Sequence, residues 1–89
     1  MLQSKQVQLV EVPNEGLISL LDVVVTLFCA NYIYTGKLVG VNTDCVKLEN
    51  PSIVYETGAF TEKKWKDSQA LPNTIYVMKS AIESFGVVK

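Results

Sequence analysis

The sequence predicts a mainly β fold, a small, strongly bent, five-stranded antiparallel barrel. Three observations carry that expectation. The β-branched and aromatic runs are short, turn signals separate them closely, and Gly36 and Gly40 sit inside one run where a strand must bend. The 89 residues fit a single domain, taken as 1–89 with an N-terminal extension at 1–13 and a variable loop at 56–73.

The elements follow in chain order. KQVQLVEV, residues 5–12, favours a short strand that covers an edge. Pro13-Asn14-Glu15-Gly16 is a turn signal. GLISLLD reads two ways. Leu17, Ile18, Leu20 and Leu21 fit one face of a short N-terminal helix with Asn14 as its cap, but the segment holds two turns at most. From Val23 the run VVVT demands a strand, through Phe28. Ala30-Asn31 marks a tight turn, and Tyr32 to Val41 is the second strand. Asn42-Thr43-Asp44 turns the chain into a third strand, Cys45 to Tyr55, with Pro51 breaking or bending its middle. Glu56 to Asn73 reads as polar and irregular. Ile75 to Met78 is the fourth strand, Lys79-Ser80 a very short connection, and Ala81 to Val88 the fifth strand. The last two strands are joined too tightly to require a hairpin, so they leave edges for neighbours.

Composition narrows the function. Hydrophobic residues make up 48% of the chain and charged residues only 19%. That is much apolar surface for a small core, which implies burial against other copies of the chain. All eight basic residues are lysine, with neither Arg nor His. Lack of His removes the commonest general base and metal ligand, and lack of Arg removes the bidentate grip on phosphate. No nucleophile–base pair, phosphate loop or metal-ligand spacing is visible, so neither catalysis nor a cofactor is expected. Cys29 and Cys45 fit neighbouring strands, where a disulfide is conceivable, but reduced, half-buried thiols are the plainer expectation. The N-terminus is unlike a signal peptide, and the longest apolar run, 17–30, is too short and polar to span a bilayer, so a cytoplasmic location is expected.

Two short motifs then combine. GKLVGVNTDCVKLEN, residues 36–50, resembles the first conserved motif of the Sm-like family, and of its bacterial Hfq branch in particular. Gly36 matches the strand glycine, and Asn42 stands at the position of an Asp six residues later. Thr43 and Asp44 stand where a polar residue and an aromatic would be. VMKSAI, residues 77–82, resembles the second motif, with Lys79 and Ser80 in its basic and Gly-or-His places. The resemblance covers roughly residues 14–88 without the loop 56–73.

That resemblance implies an SH3-like/Sm-like barrel assembled into a homo-oligomeric ring of five to seven subunits. It implies single-stranded RNA, in the U-rich class, bound near the pore. The pocket would be Asn42, Thr43, Asp44, Lys79 and Ser80, with a base stacked between two loops and a cation at phosphate. The departures are specific. Asp44 replaces a stacking aromatic with an anion, and Ser80 replaces an imidazole. On the opposite face, Leu27 and Thr35 occupy positions where the bacterial branch uses Tyr and Gln for A-rich RNA. A pI near 5.3, Asp44 and the missing Arg also fit a second expectation, a structural or protein-interaction ring with no RNA role.

Glu62-Lys63-Lys64-Trp65-Lys66-Asp67 is a second candidate contact, because lysines around a Trp suit single-strand stacking. The plainer reading folds Trp65 back on the barrel and leaves Lys63, Lys64 and Lys66 solvated. Tyr32, Tyr34, Tyr55 and Tyr76 fall on strands and are expected to serve packing or interfaces.

Overall fold

A computed structural model of the chain describes residues 15–89. The expected strand at 5–12, the extension 1–13 and the Asn14 cap lie outside the described residues. No described helix is long and apolar enough to cross a membrane.

The fold is mainly β and antiparallel. The strands are β1 (Val24–Cys29), β2 (Ile33–Val41), β3 (Cys45–Glu56), β4 (Asp67–Ala70), β5 (Ile75–Met78) and β6 (Ile82–Gly86). They form one sheet in the order β4-β3-β2-β1-β6, with β5 also paired to β3. Two expectations change here. The described residues hold six strands, because Asp67–Ala70, inside the segment read as irregular, pairs with the far end of β3. Its burial pattern is exposed throughout, so it carries no apolar alternation from which a strand could be read. Among the described residues the sheet is also open, because β5 and β6 flank a gap without pairing to each other.

The lead-in at 17–20 is neither a full helix nor a strand. It is one 3-10 turn, Leu17–Leu20, without a side-chain cap. Leu17 and Leu20 pack on the core, while Ile18 and Leu21 stay exposed. A segment this short cannot sustain a helix on its own.

The alternation of the strands builds the core. Val25 and Leu27 of β1, Leu38 of β2, Val46 and Leu48 of β3 and Val77 of β5 form one buried cluster. Each fully buried leucine here contributes about 1.5–3 kcal/mol of burial free energy. Cys29 and Cys45 are both free. They lie on β1 and β3, which are separated by β2, so they are not on neighbouring strands.

The bend is sited where the glycines predict it. Thr35 faces Ser52 and Lys37 faces Glu49, so Gly36 lies opposite a bulge containing Asn50 and Pro51. Asn50 absorbs the bulge with φ 50°, a region Asn tolerates. A Cβ on Gly36 would lie 3.2 Å from the Glu49 carbonyl oxygen, Leu48 Cβ and Pro51 Cα. Gly36 therefore permits β3 to press against β2 at the bend. Pro51 is buried there and bends β3 without ending it. A second register shift falls between Leu38 and Gly40.

Candidate functional site

The two sequence motifs meet at the β2–β3 hairpin tip. Asn42 builds the tip, because its Oδ1 accepts hydrogen bonds from the backbone N–H of Asp44 and of Cys45, each 2.8 Å. Its own N–H donates to the Cys45 carbonyl at 3.0 Å. This is a turn closed by an Asx side chain. The second 3-10 turn, Lys79–Ala81, joins β5 to β6 and docks on this tip. The Lys79 N–H donates to the Asp44 carbonyl at 2.9 Å, and Lys79 Nζ donates to the Asn42 carbonyl at 3.3 Å.

Five sequence-predicted residues can now be placed. Asn42, Asp44 and Lys79 are directly linked, and Thr43 and Ser80 are their exposed chain neighbours. All five are solvent-facing. The hydrogen bonds also sharpen the chemistry of Asn42. Its carbonyl oxygen is committed to the turn, which leaves the Nδ2 amide hydrogens to face a ligand. Asn42 is then a donor rather than a two-way reader of a base edge. The tip carries one cation and one anion, Lys79 and Asp44, and its field is correspondingly weak.

Sequence reasoning missed two residues beside this tip. Lys47 and Tyr76 are directly opposite one another on β3 and β5. Their neighbours Val46, Leu48 and Val77 point into the core, so both project outward. Tyr76, expected to serve packing or an interface, does not pack within the chain: it is 64% exposed, and Lys47 Nζ lies 5.8 Å from its ring centroid. Gly40, Val41, Asn42, Cys45, Lys47 and Tyr76 line a shallow cavity of about 240 Å³. The available signal was the two-residue period of CVKL against IYVM, which puts Lys47 and Tyr76 on the outer face once the strands are paired.

The lysine–tryptophan loop forms its own cluster. Lys63 and Lys64 are exposed, and Lys66 pairs with Glu56 at 3.4 Å. That exposed pair contributes little to stability. Trp65 is half-buried and meets Phe60 edge-on with centroids 6.4 Å apart. Lys89 Nζ sits 4.7 Å from the Trp65 centroid and 5.8 Å from that of Phe60. The same ammonium donates to the carbonyls of Thr57 at 2.6 Å and Lys64 at 2.9 Å. A face of Trp65 is thus engaged within the chain, by Phe60 of its own loop and by Lys89.

The opposite-face positions are likewise committed to the fold. Leu27 is fully buried, and the Thr35 hydroxyl donates to the Val25 carbonyl at 2.9 Å. Elsewhere, burial pushes the Cys29 thiol above its ordinary value, and Glu83 adds to the shift. Burial also raises the Tyr34 hydroxyl, with Cys29 and Tyr32 contributing.

No family model matches the chain, and no curated protein or solved structure matches it significantly.

Proposed function

We propose that the chain is a ring-forming, Sm-like, bent β-barrel protein that binds single-stranded, U-rich RNA at the pore without catalysis. The observation that carries this reading is the junction of the two motifs. Residues 42–44 and Lys79 come from distant parts of the chain, yet two hydrogen bonds bind them into one surface. Asn42, Thr43, Lys79 and Ser80 supply polar and cationic contacts, and Asp44 carries its backbone carbonyl to Lys79. With Oδ1 occupied, the Asn42 amide donates to acceptor atoms, which uracil offers at O2 and O4. Lys63, Lys64 and Lys66 are peripheral contacts, with Trp65 held by Lys89.

Assembly is supported by the free edges. Among the described residues β5 pairs only with β3 and β6 only with β1. Beside β5 lies an apolar cavity of about 410 Å³ that includes Leu71, Ile75, Met78 and Ala81. Met78, Phe85 and Val87 are exposed, so strand addition between copies would bury them and satisfy the open edges. Subunits joined in this way repeat Lys79 around an axis, so one weak charge acts as a ring of charges.

The test is native mass spectrometry of the purified chain, which reports ring order and bound nucleic acid together, with an oligo-U and oligo-A titration by fluorescence anisotropy. A ring that binds oligo-U with an affinity falling steeply as salt rises is expected. A monomer would refute the assembly. A ring that ignores both oligonucleotides would favour the structural or protein-interaction ring, the reading that Asp44 at the tip supports.

A further inference from the structure

We propose that the cross-strand pair Lys47–Tyr76 forms a second nucleotide subsite, next to the hairpin tip, which stacks the neighbouring base of the same RNA strand. This proposal rests on the RNA-binding reading and supplies the aromatic platform that Asp44 removes from the tip.

Four features converge there. Tyr76 offers an exposed π-face on a rigid strand, and every base can stack on such a face. Lys47 is anchored opposite it on β3, with Nζ near the ring where it can meet the phosphate of a stacked nucleotide. Gly40 pairs with Lys47 in the β2–β3 register, and a Cβ there would already be 3.4 Å from Lys47 Cβ, so the missing side chain keeps the cavity open. Asn42 lines the same cavity and also holds Lys79 through its carbonyl, which makes the two subsites contiguous. The volume, about 240 Å³, is below the usual range of roughly 300–1,000 Å³ for drug-sized ligands and suits one planar base in an open cleft.

Tyr76 is exposed, so its replacement should leave the core intact. The experiment compares binding of fluorescein-labelled U8 to the wild-type chain and to Tyr76→Ala, Tyr76→Phe, Lys47→Met and Lys79→Met. Alongside it, the Tyr76 ring resonances are followed by NMR during a titration with uridine monophosphate. Expected are a loss of about 5-fold or more for Tyr76→Ala, near wild-type affinity for Tyr76→Phe, and a shallower salt dependence for Lys47→Met. The Tyr76 ring signals should shift upfield. If Tyr76→Ala binds like wild type while Lys79→Met weakens binding, the subsite is overturned and the RNA reading stands. If wild type fails to bind U8, the RNA reading falls and the subsite falls with it.

Discussion

Replacing Asn42 separates what this residue does for the turn from what it offers a ligand. In the wild type its Oδ1 receives two backbone N–H groups at 2.8 Å each. Asn42→Ala leaves both donors to water. Each lost hydrogen bond costs about 0.5–1.5 kcal/mol net, and removal of a comparable capping side chain costs typically about 1 kcal/mol. Because the site is exposed, a total of about 1–2 kcal/mol is expected. For a domain of this size that lowers Tm by roughly 4–8 °C per kcal/mol. Asn42→Asp retains an acceptor for both donors and should stay within about 0.5 kcal/mol of wild type. It removes the amide donor and adds a negative charge, so oligo-U binding should fall while stability holds. The assay is thermal and urea unfolding by circular dichroism at one fixed chain concentration, since assembly makes Tm concentration-dependent. The reasoning fails if Asn42→Asp is as destabilised as Asn42→Ala, or if Asn42→Ala melts with wild type.

Gly36→Ala should destabilise by about 1–3 kcal/mol, because its Cβ meets two backbone atoms and Leu48 Cβ at 3.2 Å; urea titration measures it, and a neutral result would mean that the bend adjusts freely. Lys89→Met should shift the emission of the sole tryptophan, Trp65, and loosen the loop through loss of two carbonyl contacts and the ring contact; an unchanged spectrum would refute the contact. The raised Cys29 pKa makes stability greatest below the unfolded thiol's ordinary value of 9.0 and lost as pH rises through the higher folded value. Alkaline urea titrations of wild type and Cys29→Ser should therefore diverge above about pH 9, and parallel curves would count against it.

Much of the strand plan was legible because β-branched runs and turn residues act locally. Val24–Cys29 and Ile75–Met78 were read nearly to the residue, and Gly36 marked the bend. Asp67–Ala70 was not legible, since an exposed strand of DSQA is defined by its partner and not by its own composition. The five tip residues came from the family resemblance carried by the two motifs, and their spatial meeting depends on long-range docking of Lys79. The Asn42 hydrogen bonds lay beyond the sequence, because a turn Asn is equally able to point at solvent. Tyr76 was read as a packing or interface residue, and only the register against Lys47 assigns it to the outer face.

The long strand β3 gives its outer edge to two different partners. Residues 45–48 hold β5, and residues 52–56 hold β4, with the Asn50–Pro51 bulge between them. The two halves therefore differ in what they lose on opening. Releasing β5 uncovers Val77 and disconnects Lys79 from the tip, whereas releasing β4 uncovers no buried side chain of its own. Amide exchange should divide the strand accordingly, with slow protons at the Val46 end and faster ones toward Glu56. Peptide insertions near β4 would then be borne at small thermodynamic expense, while the same insertions before Ile75 would reach the core.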